Sequence, residues 1–341
     1  MKRIITLMLL AVVAISSFAW DYERVQIGDL YYNLDATNKT AEVTAKDASH
    51  TWPSTFTTAD FTTSVAYGGE NYSVTSIGGY IFYSCRSLTS VTIPEGITTI
   101  GQCAFEYCEA LTSVNIPNSV TSIGNWAFCD CTGLPVIDNL RYADTYLVGA
   151  AKKSLSTYTI RESTKWIGDK AFRDCNELTS ITIPSNVIAI ASTAFANCSA
   201  LTSIIIPNSV ISIGSEAFYG CRGLTSLTIG SSVSNISSSA FSGCTGLTSI
   251  TCYATTPPNC SVEVFKSVDK SIPVYVPHGS KKKYEDADEW KEFTNFVELA
   301  PTAINSVAPT LSPTTTKFLH NGQLYIQHGN NFYTTTGARA E

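Results

Sequence analysis

The sequence predicts an α/β solenoid: one short strand and one helical turn per coil, coils repeating every 23 residues, a β-rich cap before them and a strand-helix cap after them. Three observations carry that expectation. The pairs Ile77-Gly78, Ile100-Gly101 and Ile123-Gly124 lie 23 residues apart, and Ile167, Ile190, Ile213 and Ile236 keep the same step. Cys85, Cys108, Cys131, Cys175, Cys198, Cys221 and Cys244 stand in phase with them. The chain of 341 residues is 44% hydrophobic and only 15% charged, which excludes wholesale disorder. A fixed period of this length marks an array in which each unit is buried by its neighbours.

Residues 1–19 have the pattern of a signal peptide. Lys2 and Arg3 precede an apolar run from Ile4 to Ile15, and Ser17-Phe18-Ala19 offers small residues to a signal peptidase. The run is too short for a membrane span, which takes about 20 residues. The first cysteine is Cys85, so no lipid-accepting thiol follows the cleavage site. Removal of this segment lowers the basic count from 22 to 20 against 28 acids, and the net charge from −6 to −8. Residues 20–74 then read as a β cap. Leu30–Leu34 and Thr40–Ala45 flank the turn residues Asp35-Ala36-Thr37-Asn38, and Ser64–Tyr67 and Asn71–Val74 flank Gly68-Gly69.

The coils occupy residues 75–255. In Leu111-x-x-Val114-x-Ile116 the apolar residues alternate with Ser113 and Asn115, the pattern of a strand with one buried face. Pro117 ends the strand because it has no N–H to donate. Ile123, Ala127, Cys131 and Leu134 follow at steps of four, four and three, the spacing of one face of a helical turn, with Phe128 filling the back of the coil. Between Ile123 and Ile167 the gap is 44 residues, two short of two periods, so residues 138–166 read as a variant repeat in which Arg141-Tyr142-Ala143-Asp144 replaces the A-F-x-x-C turn. Residues 256–299 form the second cap. Thr255-Thr256-Pro257-Pro258 stops the repeat, Val274-Tyr275-Val276 is a strand, and Ser280 caps a helix through Phe293 with Tyr284, Ala287, Trp290 and Phe293 inward. Residues 300–317, rich in Pro, Thr, Ala and Ser, are a linker, and residues 318–341 end the chain in a hairpin around Gly329-Asn330.

The fullest copies, I-G-x-x-A-F-x-x-C-x-x-L-T-S-[VIL]-x-I-P, resemble the BspA-type leucine-rich repeats of bacterial surface proteins over about residues 20–300. The resemblance implies a leucine-rich-repeat solenoid, a cap bearing a Y-x-x-A-x-x-W pattern, and a surface adhesin. Three residues past the last strand apolar stand Gly96, Ser119, Ser163, Asn186, Ser209 and Ser232, so the asparagine ladder of standard leucine-rich repeats is not expected. The terminal hairpin resembles a shortened sorting segment of the type IX secretion route, which implies passage to the cell surface or the medium.

Little in the sequence points to catalysis. No nucleophile elbow, phosphate-cradling loop or calcium loop occurs, and His50, His278, His320 and His328 lack the paired spacing of a zinc site, so neither a metal nor a cofactor is expected. The acidic balance argues against nucleic acid as a partner. Glu285, Asp286, Asp288 and Glu289 fall at the spacing of a solvated helix face. Stacked ladder cysteines project in parallel and read as buried thiols. Cys103, Cys129, Cys252 and Cys260 lie off the ladder, and of these Cys252 and Cys260 are the pair placed to bridge, stapling the start of the cap, or else to remain free.

The surface is the more informative feature. Outward strand positions form two columns: Ser90, Ser113, Ser180, Ser203, Ser226 and Ser249, then Thr92, Asn115, Thr182, Ile205, Thr228 and Thr251. Such a neutral sheet of hydroxyls suits hydrogen bonding to an extended ligand, or it simply keeps a parallel sheet soluble. Tyr80, Tyr83, Tyr107, Trp126 and Tyr219 fall on the turns as further anchors. The expected function is non-catalytic binding of an extracellular host matrix or plasma protein, or of neighbouring cells, with capture of a surface glycan as the alternative.

Overall fold

A computed structural model describes residues 20–47, 52–53, 55–300, 315–320, 323–328, 331–334 and 339–340; the expected signal peptide lies outside the described residues. The chain divides into two units, Met1–Gly133 and Leu134–Glu341.

In the first unit Tyr22–Ile27, Leu30–Asp35 and Thr40–Thr44 pair antiparallel, and the turn after Leu30–Asp35 is held by the Asp35 carboxylate, which accepts the Asn38 N–H at 2.8 Å. Thr40–Thr44 then pairs parallel with Glu70–Ile77, and Thr99–Ile100 and Ser122–Ile123 stack on it in turn. The cap sheet and the coil sheet are therefore one sheet. A second, smaller sheet joins Thr58–Asp60, Ser90–Thr92 and Ser113–Val114. The Ile-Gly pairs have a steric reason: a Cβ on Gly101 would sit 2.4 Å from the Gly79 nitrogen of the coil before.

The second unit opens differently from the expected variant coil. Val136–Ile137, Leu140–Ala143 and Tyr146–Ala150 form an antiparallel meander, and only its last strand pairs parallel with Trp166–Ile167. Tyr142 anchors the meander: its hydroxyl accepts the Arg161 N–H at 3.2 Å, and the Arg161 guanidinium lies 3.8 Å over its ring. Ala189–Ile190, Ser212–Ile213, Asn235–Ile236 and Asn259–Cys260 continue that sheet. A second parallel sheet stacks Ser203–Ile206, Ser226–Ile229, Ser249–Cys252, Pro273–Val276 and Asn295–Glu298. Near the end of the chain, Thr315–His320, Gln323–His328, Asn331–Thr334 and Arg339–Ala340 form a four-stranded antiparallel sheet.

The architecture is a β-solenoid, and the α/β expectation is corrected. The arc between the strands has no helix. Its residues bond alternately within the coil and to the next one: Cys85 N–H donates to Phe82 C=O at 2.9 Å, whereas Tyr80, Phe82 and Ser84 N–H donate to Gln102, Ala104 and Glu106 C=O of the following coil at 2.7–2.8 Å. Two residues per arc take the left-handed conformation, such as Cys103 and Tyr107 or Thr193 and Asn197, which an α-helix does not allow. Alternation of the two hands brings Ile100, Ala104, Cys108 and Leu111 inward, all fully buried, so a helical spacing arises without a helix. The cap helix is corrected as well. It runs only over Lys281–Asp286, breaks at Ala287 and resumes as a 3₁₀ turn over Trp290–Glu292. At 100° per residue, Tyr284 and Trp290 on one helix would point about 120° apart. The break lets both bury, with Tyr284 Oη donating to Ala254 C=O at 2.7 Å and Trp290 Nε1 to Pro258 C=O at 3.2 Å. Ser280 does not cap the helix with its side chain; its hydroxyl turns back to the Pro277 carbonyl.

Two columns fill the core. In the second unit Phe172, Phe195, Phe218, Phe241 and Phe265 stack with ring centroids 5.0–5.7 Å apart, and in the first Phe82, Phe105 and Phe128 do so at 5.2–5.5 Å. Beside them five of the seven ladder thiols donate to a phenylalanine carbonyl of the coil before: Cys108 to Phe82, Cys131 to Phe105, Cys198 to Phe172, Cys221 to Phe195 and Cys244 to Phe218, at 3.0–3.2 Å. The cysteine is a hydrophobe small enough for the coil interior that still gives its proton to a backbone acceptor.

Two outcomes follow. Phe218→Ala, which removes a ring stacked on both faces, is expected to cost about 3–5 kcal/mol, read from urea unfolding. Burial pushes the ladder thiols up, Cys244 from 9.0 to about 12, so the folded chain keeps protons that the unfolded chain releases above pH 9. Their contribution is full below pH 9 and is lost as pH rises from there toward 12. Under reducing conditions the unfolding midpoint should therefore decline through that window, and native ladder thiols should resist alkylation at pH 8.

Candidate functional site

The outward face of the second unit's five-stranded sheet is built by strand alternation. Ile204, Ile206, Leu227, Ile229, Ile250, Cys252, Val274 and Val276 point into the core, which turns Ser203, Ile205, Ser226, Thr228, Ser249 and Thr251 outward. Parallel register then aligns them. Ser203, Ser226 and Ser249 form one column, and Ile205, Thr228, Thr251, Tyr275 and Val297 form the next. Parallel strands put successive members about 4.8 Å apart. Ser180 and Thr182 are exposed on an extended segment that carries no strand. In the first unit Ser90 pairs with Ser113 and Thr92 with Asp60. Asn115 is exposed but lays its amide on the preceding coil, giving it to Ile93 C=O at 2.8 Å and accepting Ile93 N–H at 3.1 Å, so its polar atoms are already engaged.

One column has a role that the sequence reading missed. Thr89, Thr112, Thr179, Thr202, Thr225 and Thr248, each one residue ahead of a column serine, donate their hydroxyls to backbone carbonyls of the preceding coil at 2.9–3.3 Å. These hydroxyls staple coil to coil. Among the described residues, by contrast, the hydroxyls of Ser203, Ser226, Ser249, Thr228 and Thr251 have no protein partner, and they face solvent in register. Ile205 and Val297 bound the second column as exposed apolar residues, 39% and 38% accessible. The column holds no carboxylate, amine or imidazole. Tyr80, Tyr83, Trp126 and Tyr219 are exposed on the arcs, with Tyr107 half-buried.

The bridge between Cys252 and Cys260 is not formed. Cys252 is fully buried, where its sulfur accepts the Tyr284 hydroxyl at 3.1 Å, and the Cys260 thiol points to Pro258 C=O at 3.6 Å. Burial pushes the two thiols up, to about 11 and about 12. The cap's acidic run is ion-paired at the surface: Lys282 meets Asp286 at 2.8 Å and Lys291 meets Asp288 at 2.6 Å, pairs worth little each. The Lys291 ammonium, by its hydrogen bond and then its charge, holds Asp288 below the usual carboxylate range.

A group that no motif announces gathers in the first unit. Glu106, Cys129 and Asp130 bring their ligand atoms within 4.8 Å of one another. Glu106 and Cys129 are 23 residues apart and so occupy one position of successive coils, a signal that alignment of the off-consensus residues at the coil period would reveal.

The profile of the BspA type leucine-rich repeat region matches residues 70–147 and 150–268 with six copies, more than half of the chain. The chain belongs to this family. No curated protein matches it. Among solved structures, the BspA-type chain is similar to a leucine-rich cell surface protein of Faecalibacterium prausnitzii, at 21% identity, covering 82% of this chain and 96% of that one with a TM-score of 0.34. A leucine-rich-repeat protein of Bacteroides ovatus shares 22% identity over 81% of this chain and 100% of that one, TM-score 0.35. The pneumococcal vaccine antigen PcpA shares 15% identity over 81% and 98%, TM-score 0.40. Among the described residues no helix of this BspA-type chain is long and apolar enough to cross a membrane.

Proposed function

We propose that the chain is an exported, non-catalytic binding protein of the cell surface or medium: an adhesin that contacts a host matrix or plasma protein, or a neighbouring cell, through the outward sheet of its second unit. The observation that carries this reading is the in-register column Ile205, Thr228, Thr251, Tyr275 and Val297 beside the serine column of unpartnered hydroxyls. Apolar ends with hydroxyls and an aromatic between them fit the mixed surface of a protein better than the uniformly polar edge of a sugar chain. The glycan reading keeps one support, the half-buried Tyr275 next to Thr251, where a sugar ring can lie on an aromatic face. A column without converging ionisable groups supports binding rather than catalysis.

Residues 20–341, presented together to immobilised matrix and plasma proteins and to a glycan array, should bind in the first set. Replacing Ile205, Thr228 and Thr251 together with Lys should abolish that binding and leave thermal unfolding unchanged, since all three point outward. Unchanged binding would reduce the sheet to scaffold and direct attention to the arc aromatics Tyr107, Trp126 and Tyr219. We also infer export to the surface from residues 1–19 and 318–341. Deleting residues 318–341 should retain the protein inside the outer membrane, as read by surface proteolysis; unchanged display would remove the sorting role of the tail.

A further inference from the structure

We propose that Glu106, Cys129 and Asp130 form a site for a divalent cation of the zinc type, tying two successive coils of the first unit together. Glu106 comes from one coil; Cys129, its equivalent, and the adjacent Asp130 come from the next. Their ligand atoms lie within 4.8 Å of one another, and Cys129 Sγ is 3.4 Å from Asp130 Oδ2. Zinc held at about 2.3 Å from sulfur and about 2.0 Å from oxygen in a tetrahedron places those two atoms about 3.5 Å apart. The pair is spaced for a shared ion without rearrangement of the backbone.

Glu106 supplies an independent reason. It is 3% accessible, yet among the described residues its carboxylate receives no hydrogen bond and meets no cation. A cation bound beside this carboxylate would give it the opposite charge that its neighbours do not supply. A thiolate among the ligands selects zinc over calcium or magnesium, which take oxygen donors. On binding, Cys129 gives its proton to solvent, leaving three negative ligands around one dication. Cys129 is buried and Asp130 exposed, so the fourth position opens to water on the Asp130 side.

The test uses the mature chain, residues 20–341, stripped with a chelator and titrated with cobalt(II) and then zinc. One equivalent of cobalt should bind with a thiolate-to-cobalt band in the near ultraviolet, and zinc should displace it and raise the unfolding temperature. Cys129→Ala should abolish the band. Loss of an outer partner of a metal ligand already costs about 10–100-fold in affinity, so Glu106→Gln and the exposed Asp130→Asn should weaken binding at least that much. In chelator all variants should unfold as the parent does; if Cys129→Ala fails to fold, Asp130→Asn carries the test. The absence of a thiolate band overturns the site. So does a band that survives Cys129→Ala, or an affinity unmoved by both Glu106→Gln and Asp130→Asn.

Discussion

Everything in this fold depends on one constraint: a 23-residue coil cannot satisfy its own backbone. Its strands are two to four residues long over most of the array, and its arc makes only single-turn bonds within itself. The remaining amides and carbonyls find partners one coil away, which forces each residue over its equivalent. Register is then set by hydrogen bonding before any side chain is considered. The columns of phenylalanine, cysteine and threonine are consequences, because a side chain that suits one coil meets the same environment in the next.

The columns also divide the labour of polar atoms. Ladder thiols and the threonine hydroxyls, one inside the coil and one outside, spend their donors on carbonyls of the preceding coil. Buried donors need such partners, and an exposed hydroxyl that finds one adds a net contribution of about 1 kcal/mol. The serine column next to the threonines has no such duty. Cohesion sits on the threonine column, while the hydroxyls one residue away are left to solvent.

Much of this was legible in the sequence. The period, the buried cysteines, the inward aliphatics and the outward alternation of Ser203 and Ile205 all follow from spacing, because a repeat reports the same environment many times over. The misread elements are those where spacing is ambiguous. Steps of four, four and three describe a helix face and equally an arc of alternating left- and right-handed residues, and only backbone geometry separates them. Residues 136–150 depart from the repeat, so no neighbouring copy reports their antiparallel pairing. The cap helix was overextended because three-residue steps look inward-facing, although they rotate around the axis by the time Trp290 is reached. Glu106 and Cys129 escaped notice because their proximity is a product of coil stacking and follows no linear motif.

The arc bonds have an electrical consequence. In the second unit the N–H groups at Lys170, Phe172 and Asp174, at Thr193, Phe195 and Asn197, and at their equivalents through Gly243 all donate forward to the next coil. The peptide units between them are aligned, each with a dipole of about 3.5 D, whereas strand dipoles largely alternate in sign. One wall of the solenoid is thus polarised along its length, with its positive end toward the C-terminal cap, the reverse of the sense in an α-helix. At that end the Glu263 N–H has no further coil to meet and is taken at 2.8 Å by the carboxylate of Glu289, itself held in a left-handed conformation. Glu289 thereby does more than cap one amide: its carboxylate is a counter-charge set at the positive end of a directional stack.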